Sequence, residues 1–262
     1  MKTKSFTFHF SSLALIAATL MVLTSCHHDG FTFSGTIEGG AGHTLWLEEL
    51  APEGPLFIDS IPVAADGSFK FHYKAPYHSL YNLHTSADNF IVTLPDNGEE
   101  IHIEGHWDNL SLTYNIDGSP ESILLWQLQQ YTNDGAMTLR ELVDSVNRYD
   151  ELLANGSIRQ ADYDRLKAAC DSVYRATRSE QQEYVRQFIE ENKGSLATLI
   201  ALYKPFNNHP LIDPRNPDNF VYFDLVLQGL VEKQPQNPHT IHFKNSTDRL
   251  RSAHNSQQES VN

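Results

Sequence analysis

Cysteine is almost missing: two occur in 262 residues, Cys26 and Cys170. No Cys-x-x-Cys pair exists, so a dithiol exchange cycle has no attacking and resolving pair to use. Positive charge is scarce as well, with 19 Lys and Arg against 33 Asp and Glu, a net charge of −14. No basic stripe is available to neutralise phosphates, which excludes nucleic acid as an expected partner. The same acidity makes anionic lipid headgroups repel the body of the protein. Beyond Leu23 no apolar run is long enough to cross a bilayer. Nucleophile-elbow, P-loop, His-Glu-x-x-His and Gly-x-Gly-x-x-Gly patterns are all lacking. Gly39, Gly40 and Gly42 stand between strand patterns and serve a turn, not a phosphate. No catalytic residue and no cofactor is expected.

The N-terminus is more explicit. Lys2 and Lys4 precede a mainly apolar segment from Phe6 to Leu23, with no acidic residue before Cys26. A positive start, an apolar middle and small closing residues are the parts of a secretory signal. Leu23-Thr24-Ser25-Cys26 resembles a bacterial lipobox, which implies a signal peptide over 1–25 and lipidation of Cys26. Acyl chains contribute about 0.8 kcal/mol per buried methylene, so two or more anchor a protein without a spanning helix. The expected partner at this end is therefore the membrane, reached through a short tether over 26–30. Loss of Lys2 and Lys4 moves the charge to near −16. His27, in place of aspartate after the cysteine, points away from inner-membrane retention. The expected location is the cell envelope, on the outer membrane facing the periplasm.

Two halves follow with different periods. From Phe31 to Ile116, eight short runs alternate with turn formers such as Pro52-Glu53-Gly54, Asp66-Gly67 and Asp96-Asn97-Gly98. In "SFKFHYK", Phe69, Phe71 and Tyr73 share one face and Lys70 and His72 the other. Such spacing predicts a largely antiparallel sandwich or barrel over 31–118, with "SLTYNI" its last strand. Asp66-Gly67, between Val63 and Phe69, predicts a hairpin. At Ser119-Pro120 the period changes, with a capping serine and a proline suited to a first helical turn. Helical patterns run over roughly 120–131, 138–154, 158–191, 195–203 and 217–232, Ser157 and Ser195 serving as caps. Strands followed by helices give an α+β class, with a helical domain over 119–232. The polar tail, 233–262, has few large apolar residues and is expected to be disordered unless something it contacts orders it.

His102-Ile103-Glu104-Gly105-His106 is the sharpest metal-like pattern. Strand alternation places His102, Glu104 and His106 on one face, and two imidazoles with a carboxylate suit Zn²⁺ or Cu²⁺. An ordinary solvated strand face has the same composition, and Gly105 can turn His106 aside, so no metal is expected. Cys170 recurs with Tyr163, Leu166, Val173 and Thr177 at helical spacing, which reads as a small buried hydrophobe with an inert thiol.

"FSGTIEGGAGHTLWLEEL", "FIDSIPVAADGSFKF", "NFIVTLPDNGEEIHIEG" and "YNIDGS" together resemble the N-terminal domain of unknown function 4369 of Bacteroidetes lipoproteins. The resemblance covers roughly residues 30–120. "QEYVRQFIEENKGSLATLIALYK" resembles the segment that often follows, ahead of a thioredoxin-like domain of TlpA/ResA-like thiol–disulfide oxidoreductases. The redox residues of that class map onto no position here, since Trp46, Trp107 and Trp126 have no cysteine neighbour. Three functions remain open. The favoured one is a non-catalytic envelope module that binds or scaffolds a partner protein. The others are the substrate-docking part of a thiol–disulfide oxidoreductase, and a binding protein for a small molecule or glycan.

Overall fold

The computed structural model describes residues 29–261; the expected signal over 1–25, Cys26 and most of the tether lie outside the described residues. The first half holds strands β1 (Phe31–Glu38), β2 (Thr44–Ala51), β3 (Gly54–Pro62), β4 (Ser68–Tyr73), β5 (Tyr81–Ser86), β6 (Asn89–Thr93), β7 (Glu100–His106) and β8 (Asn115–Asp117). They form two four-stranded sheets, ordered β4-β1-β7-β8 and β3-β2-β5-β6. The sheets are not closed, so the domain is a sandwich and not a barrel. Alternate residues point inward, and Phe31, Phe33, Ile37, Leu45, Leu47, Leu83, Ile91, Ile101 and Ile103 fill the space between the sheets.

The pairing is largely antiparallel, as expected, but two other expectations for this half need correction. The Asp66-Gly67 turn exists, with Gly67 at a φ of 81° and its N–H donating to Ala64 O. It carries the chain from one sheet to the other, however, and does not join a paired hairpin. The central pair β1–β7 is parallel, because the chain leaves the first sheet after β1 and returns twice. "SLTYNI" divides into a helical turn, α1 (Leu110–Thr113), and the three residues of β8. Leu110 and Tyr114 are buried there, four residues apart, with Leu112 between them exposed, which fits a helical turn and not a strand.

The second half comprises α2 (Pro120–Ala154), α3 (Gln160–Glu191), α4 (Ala197–Leu202), α5 (Phe220–Lys233) and α6 (Pro238–Val261). Ser119 caps α2 by accepting from Ser122 N–H, with Pro120 in the first turn. The helices expected over 120–131 and 138–154 are one, because Gly135 lies where α3 crosses closely. A methyl group at Gly135 would stand 2.6 Å from the Gln181 amide, whose Nε2 donates to Tyr131 O at 3.1 Å. Helix α3 starts later than expected, and Ser157 is not its cap; Arg159 holds that position without a side-chain bond. Helices α2 and α3 run antiparallel, with Tyr131 stacked on Tyr184 at 3.7 Å and Tyr163 Oη donating to Asp150 at 2.7 Å. No residue between 136 and 180 is fully buried, so this hairpin extends as a two-helix arm that meets the body only at its base, where Leu139 and Tyr174 pack on the second core and Arg178 donates to Pro210 O.

The polar tail is a helix, not a disordered segment. Asn237 caps α6 by accepting from His239 N–H at 2.9 Å, and Pro238 opens its first turn. Its buried face is His239, Thr240, Phe243 and Thr247, and Phe243 stacks on Phe223 of α5 at 6.3 Å. Arg251 of α6 pairs with Asp224 of α5. Phe223, Val226 and Leu230 of α5, Val185, Phe188 and Ile189 of α3, and Leu125 and Leu128 of α2 make a second core, which also takes Leu80 and Leu94 from the sandwich. The two halves are thus fused along the outer face of the sheet that holds β5 and β6.

Candidate functional site

Strand alternation puts two kinds of residue on that outer face. Tyr81, Leu83 and Ile91 turn inward, while Asn82, Phe90 and Val92 turn toward the helices. Helix α2 presents Leu125, Leu128, Gln129, Thr132 and Asn133 at helical spacing, and the α4 region supplies Leu199, Ile200 and Lys204. The surfaces do not meet everywhere. Between them lies a cleft of about 750 Å³, with half-exposed Phe90 and Tyr203 among its walls. That volume is within the range of about 300–1,000 Å³ usual for small-molecule sites.

Lys204 is the charged residue of this cleft. Its backbone is fixed on both sides, the N–H donating to Ala201 O and the carbonyl accepting from Leu211 N–H. Nζ donates to Gln129 Oε1 at 2.8 Å. Gln129 donates to Asn133 Oδ1 at 2.6 Å, one turn along α2. Among the described residues no carboxylate pairs with Lys204, and burial pulls its ammonium down to about 8. Asn82 Oδ1, also in the cleft wall, is buried without a hydrogen-bond partner among the described residues. A largely apolar cleft with one cation and an unpartnered amide oxygen can hold a ligand with a polar end.

Keeping this cation out of water has a cost that can be measured. A pKa lowered from 10.5 to about 8 corresponds to roughly 3 kcal/mol against the charged form. For a base the penalty is absent above pH 10.5, develops as pH falls to 8 and is constant below. Lys204→Met is therefore expected to stabilise the protein at pH 7 by about 1–3 kcal/mol, less what Gln129 loses with its donor. Thermal melts check this, and an unchanged or lower melting temperature at pH 7 contradicts it.

At one wall of the cleft, which His239 lines, β2, the 77–79 segment and α6 meet in a buried polar node. Ser79 Oγ donates to Glu49 Oε1 at 2.7 Å and is 2.9 Å from His239 Nε2. The serine proton is committed to the carboxylate, so Nε2 carries the proton of the second bond. Burial pulls His239 down to about 4; Glu49 opposes this, and His242 and His78 add to it. Burial and the Glu49 carboxylate push the Tyr77 hydroxyl up to about 12. Serine, histidine and glutamate have the composition of a nucleophilic triad but not its arrangement. The carboxylate holds the serine instead of the far imidazole nitrogen, and Ser79 is fully buried. The node serves as a clamp, reinforced where Asn237 Nδ2 donates to His78 O at 2.7 Å.

The residues expected from sequence lie elsewhere. His102 and Glu104 share the solvent face of β7, 3.4 Å apart, while His106 turns to Glu38 at 3.2 Å. The three do not converge, and among the described residues no cluster of three or more His, Cys, Asp or Glu side chains could hold a metal. Cys170 is half-buried on α3, not fully buried as expected, because it belongs to the arm, where neighbouring Val173 is exposed. Cys26 lies outside the described residues. Sequence reasoning missed Glu49 despite a visible signal: it continues the inward series Leu45, Leu47, which puts a carboxylate on a core face. Lys204 gave no such signal, because its role depends on where α2 crosses the sheet.

Residues 31–125 match the model of a family described as a domain of unknown function, DUF4369. The match spans the sandwich and the first turns of α2. No curated protein and no solved structure matches the chain.

Proposed function

We propose that this chain is a non-catalytic binding module of the cell envelope, tethered through a lipid on Cys26, whose ligand enters the cleft between sheet and helices. The observation that carries this reading is the cavity of about 750 Å³ with apolar walls and a few polar groups, the usual form of a ligand site. The clamp supports a binding role over a catalytic one, since Ser79 is sealed from any substrate. Lipobox-like Leu23-Thr24-Ser25-Cys26 supports the tether. Among the described residues no helix is long and apolar enough to cross a membrane.

Two measurements test the reading. Organic extracts of the purified full chain should contain a small molecule that is lost from a Thr132→Trp variant, whose indole fills the cleft. The same extract from both proteins, or from neither, would remove the support. Mass spectrometry of the membrane-extracted protein should find an acylated cysteine at position 26 as the first residue. An intact Met1 or an unmodified terminus would end the tether proposal.

A second reading, a partner protein in the envelope, is favoured by the β2–β3 hairpin. Leu56 and Phe57 are 55% and 60% exposed there, beside a groove of about 700 Å³ that reaches Tyr77 and Ile241. Exposed apolar residues around a groove mark an interaction surface.

A further inference from the structure

We infer that the cleft takes a single-chain amphiphile with a singly charged carboxylate head, seated with its head on Lys204 and its tail against the sheet. This rests on the reading of the cleft as a ligand site and adds the chemistry of the ligand.

Apolar wall and polar head site are both present. Leu50, Leu80 and Val92 of the sandwich face Leu125, Leu128 and Ile200 of the helical half, a lining suited to hydrocarbon and not to a polar ligand. Into this lining projects one ammonium group. A charge held partly out of water is costly unless paired, and half-buried Lys204 has a neutral partner, Gln129 Oε1, in place of a carboxylate. An amide oxygen leaves the net charge in place, so an incoming anion would gain a charge-assisted bond in a site already shielded from water. One cation matches one negative charge. A phosphate monoester near its double charge would leave half its charge unmatched, and an alkyl ammonium would be repelled. Asn82 supplies the second polar contact: its Oδ1 meets no partner among the described residues, and turning the amide over puts Nδ2, a donor, in the place of that oxygen. The rest of the surface is strongly acidic, at net −14 for the chain, so a positive point inside an apolar cleft sets this spot apart.

The test uses the full chain in its membrane and a long-chain carboxylic acid carrying a diazirine in its tail. Illumination should place the label on lining residues of α2, within Leu125–Ala136, and on Leu199 or Ile200. Thr132→Trp should abolish labelling at these positions. At subsaturating probe, Lys204→Met should reduce it roughly ten-fold, as expected for loss of a charge-assisted contact, and Lys204→Arg should retain most of it. The matching alcohol should label the wild type no better than the acid labels Lys204→Met. Lys204→Met is the more stable protein by the argument above, so loss of labelling would not reflect unfolding. Equal labelling by acid, alcohol and amine, all abolished by Thr132→Trp, overturns the carboxylate inference and leaves the cleft as a ligand site. Labelling that ignores Thr132→Trp, or none by any of the three probes, overturns both.

Discussion

Phe223→Ala is expected to destabilise the protein by about 3–5 kcal/mol, the usual cost of truncating a fully buried phenylalanine. Phe223 is completely buried in α5 and touches rings from both flanks: Phe220 at 5.7 Å, Tyr203 at 6.3 Å and Phe243 of α6 at 6.3 Å. Removing it opens a cavity between α5 and α6 that no neighbouring ring can fill without leaving its own contacts. Against a total stability of about 5–15 kcal/mol for a typical domain, this is a large fraction. Leu227→Asp, at a half-buried position of the same core, should also lower the melt, because a carboxylate facing that core loses its hydration. Far-UV circular dichroism during thermal melts measures both changes. An unchanged melt for Phe223→Ala would mean that α5 does not depend on this core, and would shift its apolar face to a docking role.

The second large effect is a loss of stability in mild acid. His239 is buried and neutral, taking a proton in the folded chain only near pH 4 and in the unfolded chain near 6.5. Between those values the unfolded state binds more protons, so stability is full above pH 6.5 and falls as pH drops toward 4. The complete fall is about 3 kcal/mol for this group. Burial holds the Glu121 carboxyl above the usual carboxylate range although the charge of His78 pulls it down, and a carboxyl so raised gains stability as pH falls, which softens the loss. His239→Gln can keep a hydrogen bond to Ser79 without titrating, so its melting temperature should change less from pH 7 to pH 5. Parallel pH dependences in wild type and variant would show that the clamp is not the acid-sensitive element. Because His239 fastens α6, helical signal from the C-terminus should be lost early in the transition.

The parts of this fold that follow local rules were legible. The α+β division, the Ser119-Pro120 start of α2 and the Asp66-Gly67 turn each depend on a few adjacent residues, whose chemistry decides the local backbone. What was not legible depends on distant neighbours. Gly135 suggests a weak point until α3 is seen crossing it, with Gln181 against Tyr131. The 233–262 tail looks too polar to fold, because His239, Thr240 and Thr247 occupy a face where large hydrophobes are usual. Ser79 of the sandwich satisfies His239, and the helix itself satisfies Thr247, which donates to Phe243 O at 2.9 Å, while Thr240 Oγ1 meets no partner among the described residues. Asn237-Pro238 was a usable helix-start signal. For the candidate site, the inward position of Glu49 could be read in advance. The cleft could not, since its walls are the outward residues of β5 and β6, which alone look like an ordinary solvated face.

The arm formed by residues 136–180 bears on how the molecule fails under stress. With no fully buried side chain along its length, it owes its shape beyond the base to helix hydrogen bonds and half-buried residues such as Leu142, Leu153 and Leu166. Segments of that kind open at a small fraction of the global unfolding free energy. Amide hydrogens near Asn155-Gly156 should then exchange with deuterium orders of magnitude faster than those of β1 and β7 in the sandwich. A protease would find its first cut there and leave two fragments held together by the cores on either side. Such a nicked chain would keep the cleft, the clamp and the sandwich.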